Sequence, residues 1–187
     1  MMWKLLFFSL FSFSQACFIH IPRSGGLSFR IHNNPTCVWH DASSLPDVNC
    51  GTITTLRHPV DRYLSEWNFY GVMFFKKNMT VKGWKPANGF PASFEDFLND
   101  NSTHNSITKI LSGCQLYSRC LVNKASVSHI IEKIKSNCLT IVPVEDLKLK
   151  THQNEYTKNI TLSDLVRKAN NIDLELYNSF QKMRTTV

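Results

Sequence analysis

The sequence predicts an α/β fold with a central parallel sheet flanked by helices. Three observations carry that expectation. Short apolar or β-branched runs, Cys17 to Ile21, Gly51 to Arg57 and Cys138 to Val144, have the composition of buried strands. Elsewhere apolar residues recur at helical spacing, as Val60, Tyr63, Leu64 and Trp67 do. The two kinds of segment alternate along the chain, which suits strands joined by helical crossovers.

The elements follow in order. The first strand runs into a turn containing Arg23, Gly25 and Gly26. After the second strand, Pro59 suits the first turn of a helix, where its missing N–H costs nothing. Tyr70 to Pro91 reads as a basic loop carrying Lys76, Lys77, Lys82 and Lys85. Ser93 caps a short helix through Leu98, and Ile107, Ile110 and Leu111 mark another that ends near Gly113. Val127, Ile130, Ile131 and Ile134 form the next apolar face. Thr161 with Asp164 has the spacing of a capping box, opening a helical region that breaks near Asn170-Asn171 and resumes through Phe180.

The chain has 187 residues, 43% of them hydrophobic and 19% charged, so a single folded domain is expected. Residues 1–16 read as a secretory signal peptide: Lys4, an apolar run from Leu5 to Phe13, then Ser14 and Ala16 before a cleavage point. The domain then occupies 17–187. Contact with a membrane is expected only through an uncleaved leader.

Three N-glycosylation sequons, at Asn78, Asn101 and Asn159, agree with passage through the secretory pathway, either to the Golgi or out of the cell. The net charge of +7 favours an anionic partner. In that compartment the partner is a glycan, not nucleic acid. Six cysteines (Cys17, Cys37, Cys50, Cys114, Cys120, Cys138) are expected to oxidise, with Cys114 and Cys120 near enough to pair locally. A competing reading takes Cys17-x-x-His20 and Cys37-x-x-His40 as zinc ligands.

The chemistry concentrates between His20 and Phe29. A strand that enters a glycine-bearing loop and then a helix presents backbone N–H groups to an anion. Gly25 and Gly26 allow close approach, Arg23 adds charge, and Ser24 and Ser28 add hydroxyls. The Walker pattern is absent, because no lysine precedes Ser28.

The segment His20-Ile21-Pro22-Arg23-Ser24-Gly25-Gly26-Leu27-Ser28-Phe29 resembles the 5′-phosphosulfate loop of carbohydrate sulfotransferases. A second stretch, Leu56 to Trp67, resembles the 3′-phosphate motif R-D-P-V-S-R-Y-L-S-E-W of the heparan sulfate 6-O-sulfotransferases. A third, Cys37 to Asp41, is similar to the C-G-L-H-A-D stretch that carries that family's base. The resemblance implies a P-loop-like sulfotransferase fold and transfer of a sulfuryl group from 3′-phosphoadenosine 5′-phosphosulfate (PAPS) to a glycan hydroxyl, with no metal.

It further implies that Arg23, Ser24, Gly25, Gly26, Leu27 and Ser28 hold the 5′ end of the donor and Arg57 and Ser65 its 3′-phosphate. His40 would be the general base and Arg23 would stabilise the departing nucleotide. His32 is a neighbouring competitor for the basic role. Arg23 stands where the family has lysine, and a guanidinium keeps its proton. A catalytically inactive glycan- or nucleotide-binding protein is therefore the rival expectation, and a kinase sharing the phosphate-loop topology the remoter one.

Overall fold

A computed structural model describes residues 17–26, 29, 35, 37–39, 51–70, 91, 93–147 and 160–186. The leader, Leu27, Ser28, His32, His40, the four loop lysines, Asn78 and Asn159 lie outside the described residues. Four strands form one sheet: β1 (Cys17–Ile19), β2 (Cys37–Trp39), β3 (Thr52–Leu56) and β4 (Leu139–Pro143). Their order is β2-β1-β3-β4 and every pairing is parallel, as the sequence implies. The helices are α1 (Pro59–Tyr70), α2 (Phe94–Asn99), α3 (Ser106–Leu111), α4 (Lys124–Lys135), α5 (Ile160–Ala169) and α6 (Asn171–Thr185).

The strands alternate their apolar side chains between the two sheet faces, as a period of two requires. Ile19, Leu56, Leu139 and Ile141 join the largest core with Ile107 and Leu111 of α3, Ile130 of α4, and Leu176 and Phe180 of α6. Phe18, Ile53 and Val142 point the other way and pack with Phe29 and Leu147. A third cluster fastens α1 to α2 and α5 through Tyr63, Leu64, Phe97 and Val166. β3 is buried along its whole length although three of its five residues are threonine. Thr54 meets that cost by donating its hydroxyl to the Ile19 carbonyl at 2.9 Å, a bond that also ties β3 to β1.

The first strand stops at Ile19, earlier than its composition suggests, and after two intervening residues the chain enters the turn at Pro22. α5 begins at Ile160, so Thr161 lies inside the first turn instead of capping it. The break at Asn170 is present and has a structural purpose. Asn105, in the left-handed conformation at the head of α3, accepts the N–H groups of Ile172 and Asp173 on its side-chain oxygen. Asp173 returns the arrangement, accepting the N–H groups of Ile107 and Thr108 at 3.0 and 2.7 Å. Two helix N-termini are thus capped by each other's side chains, each satisfying donors that a helix cannot satisfy internally.

Two helices close through left-handed residues. Gly113 ends α3 and Asn137 ends α4; in each, the following N–H reaches back five residues, Cys114 to Lys109 and Cys138 to Lys133.

Cys17 and Cys37 are register partners in β1 and β2 and form a disulfide. Their sulfurs are therefore engaged with each other, which removes the zinc reading of Cys17-x-x-His20 and Cys37-x-x-His40. Cys114–Cys120 is the expected local bridge. Cys138 is also disulfide-bonded, with a partner outside the described residues. Bridges of this kind form in an oxidising, secretory-type environment. Among the described residues no helix is long and apolar enough to cross a membrane.

Candidate functional site

In a doubly wound parallel sheet, neighbouring strands whose crossovers leave in opposite directions open a crevice at their carboxyl ends. Here β2 lies next to β1 on one side and β3 on the other, so the strand order reverses, and the crevice is expected, between β1 and β3. The segment after β1 and the segment after β3 carry Arg23 and Arg57.

The first segment is a tight turn. Ser24 N–H donates to the Ile21 carbonyl at 3.3 Å, with Pro22 second and Arg23 third. Arg23 has φ 64°, the left-handed value that the third position of a type II turn demands and that glycine ordinarily supplies. Gly25, at φ 76°, meets the same demand without a Cβ penalty. The chain then becomes helical at Gly26, and Phe29 N–H reaches back to the Gly25 carbonyl at 3.1 Å. The strand, turn and helical start expected from the sequence are all present.

Gly26 also has a packing reason to be glycine. A Cβ there would collide with the His20 ring, 2.8 Å from Nε2, and stand 3.2 Å from Phe18. Packing against the turn therefore requires the glycine, whatever the turn binds. Gly26→Ala is accordingly expected to destabilise the fold by about 1–3 kcal/mol, the usual cost of overpacking. The check is the denaturation midpoint at unchanged slope; a wild-type midpoint would mean that His20 moves aside without cost.

The side chains converge on α1. Arg23 Nε donates to Ser65 Oγ at 3.1 Å, and the same guanidinium lies 4.7 Å from the centre of the Phe69 ring, one turn further along the helix. Arg57, at the end of β3, reaches the Arg23 carbonyl with Nη1 over a long 3.5 Å. Burial holds the Arg57 pKa below its usual range; Asp61 opposes that shift, and the charge of Arg23 adds to it. Two arginines thus lie close enough for their charges to act on each other, an arrangement that favours an anion between them. Ser24 strengthens the case: its hydroxyl is fully buried in the turn and makes no hydrogen bond. A polyphosphate oxygen is a suitable acceptor for it, so these residues fit a phosphorylated nucleotide.

Of the residues the sequence picks out, the structure brings together Arg23, Ser24, Gly25, Gly26, Arg57 and Ser65, while Leu27, Ser28 and His40 lie outside the described residues. Sequence reasoning misses Phe69, whose only signal is its position four residues after Ser65 on the same helix face. It also misses the group that orients α1. Arg62 pairs with Glu66 at 2.7 Å, both side chains wholly buried, and Tyr117 donates to the other Glu66 oxygen at 2.6 Å. Asp173 bears on the same arginine electrostatically. Burial pulls the Arg62 pKa down, Glu66 and Asp173 push it up, and the carboxylates prevail.

A separate cleft of about 560 Å³ lies beside α2 and α3, and none of Arg23, Ser24, Arg57 and Ser65 lines it. Near β1 and β3, by contrast, two arginines and a buried hydroxyl without a hydrogen-bond partner lie close in the fold. No family model, curated protein or solved structure matches this chain.

Proposed function

We propose that this protein is a PAPS-dependent sulfotransferase of the secretory pathway, with the P-loop-like fold of that class, acting on a hydroxyl of an anionic, heparan-sulfate-like glycan. The observation that carries the reading is the meeting of Arg23, Arg57 and Ser65. They come from three separate elements, and in the resemblance described above they belong to opposite ends of one nucleotide. The buried Ser24 hydroxyl and the left-handed turn at Arg23 and Gly25 support it.

When bound, PAPS would supply the sulfuryl group and the bisphosphate that leaves. Arg57 and Ser65 would hold the 3′-phosphate, and the turn from Arg23 to Ser28 would hold the 5′ end. The fork of a guanidinium suits phosphate oxygens. His40 would accept the proton of the attacking hydroxyl, as a neutral imidazole can near its ordinary pKa of about 6.5. Positioning and charge stabilisation would account for much of the rate.

One observation favours the inactive glycan- or nucleotide-binding alternative. Arg23 spends its Nε on Ser65, and an arginine cannot give up a proton as a lysine can. Incubating the protein with radiolabelled PAPS and a panel of heparan-type acceptors separates the two. Label on an acceptor supports the enzyme. Tight binding of the product nucleotide PAP with no transfer to any acceptor supports the inactive protein, and no nucleotide binding defeats both.

A further inference from the structure

Asn101 begins an Asn-Ser-Thr sequon and is exposed, opening a short 3-10 turn, Asn101–Thr103, between α2 and α3. It also lines the 560 Å³ cleft, together with Asn99, His104, Arg119 and Leu121. That volume falls within the range of small-molecule sites, roughly 300–1,000 Å³. The lining suits a sugar. Asn99 offers a carboxamide that donates and accepts, and Arg119 offers a guanidinium fork to hydroxyl or acetamido oxygens. Leu121 is 94% exposed, an apolar surface against which the C–H face of a pyranose can lie.

The sequon hydroxyl is in a different situation. Thr103 is wholly buried, and its Oγ1 donates to carbonyls at Phe97 (2.9 Å) or Asp100 (2.8 Å) and contacts the Tyr63 hydroxyl at 2.9 Å. The Asn101 carbonyl is held by the ammonium of the buried Lys109, which also binds the Ser102 and Ser118 carbonyls. A transferring enzyme that must engage the threonine hydroxyl cannot reach it in this fold.

We propose that Asn101 carries an N-linked glycan whose first sugars sit in this cleft, and that it is attached before the unit from α2 to α3 closes. In the transfer, the Asn101 side-chain nitrogen bonds to the anomeric carbon of a lipid-pyrophosphate-linked oligosaccharide. The bond from that carbon to the pyrophosphate breaks, and the amide loses one proton as the lipid pyrophosphate departs. The inference is independent of the nucleotide crevice.

The test uses the full chain secreted from a eukaryotic host. Peptide mass spectrometry reads occupancy at Asn101, and N-glycosidase digestion in isotopic water reads the rate of release there, folded and denatured. Occupancy and release several-fold slower from the folded protein are expected. Arg119→Ala and Leu121→Ala, which preserve the sequon, are expected to raise the folded-state rate toward the denatured one with the unfolding midpoint unchanged. An unmodified Asn101 overturns the proposal, as does a protection that neither substitution relieves. For the order of events, purified oligosaccharyltransferase with lipid-linked donor is expected to modify Asn101 in reduced, unfolded chain and not in folded, unglycosylated chain. Equal modification of both would overturn that order.

Discussion

Replacing Arg57 with alanine is expected to weaken binding of PAP by roughly 1.5–3 kcal/mol, the scale of a hydrogen bond to a charged group. That corresponds to roughly a 10- to 150-fold loss of affinity. The expectation rests on where Arg57 stands, at the carboxyl end of the central strand β3 and beside the turn that carries Arg23. Its contribution to the unliganded fold is small, one long contact to a carbonyl, with the attraction of Asp61 and Glu145 set against the repulsion of Arg23 and Arg62. The substitution should therefore leave the unfolding midpoint close to the wild-type value while affinity falls. Calorimetric titration with PAP at fixed ionic strength, beside a denaturation curve, measures both quantities. Affinity unchanged in Arg57→Ala would detach Arg57 from the phosphate. Arg57→Lys is expected to fall between, because it keeps the charge and loses the fork.

The second large effect concerns stability. Asp173→Ala is expected to cost about 3–5 kcal/mol, the range for removing one partner of a buried charged group. The carboxylate is wholly buried, caps the N–H groups of Ile107 and Thr108, and helps balance the buried Arg62. Burial pushes its pKa up, while Arg62 and the two amides of α3 oppose the shift. Truncation leaves two backbone donors without their acceptor and deprives Arg62 of a nearby anion, so the damage is double. Asp173→Asn should cost less, since a carboxamide oxygen still accepts an amide N–H. Urea denaturation reads the result as a lower midpoint with a similar slope; a shift below about 1 kcal/mol, an ordinary substitution effect, would contradict it.

Much of the fold was legible because its signals are local. β3 and β4 carry their own β-branched composition, and the apolar spacing of α1 and α4 is visible within single segments. Ser93 caps α2 as its spacing suggests, accepting the Asp96 N–H. β2 gave no such signal: three residues at the sheet edge are too short to show alternation, and they are recognisable only through their pairing with β1. The reciprocal caps at Asn105 and Asp173 were invisible for a related reason. Each side chain satisfies a helix more than sixty residues away, and a box read within one helix cannot reveal that. The crevice lies between these cases. Arg23, Arg57 and Ser65 announce themselves by motif, but their meeting depends on strand order, and the purpose of Gly26 on a ring packed beneath it.

The bond between Cys17 and Cys37 threads the turn that carries Arg23 and Gly25 onto a covalent hoop, since those two cysteines bracket it at a separation of 20 residues. A protease nick at the turn would therefore leave two fragments that travel as one band until a thiol reductant parts them. The edge strand β2 has only three ladder residues, so without the hoop it loses an anchor that for loops of similar size contributes about 3 kcal/mol. Reduction of that single bond therefore frees both the edge strand and the turn it encloses.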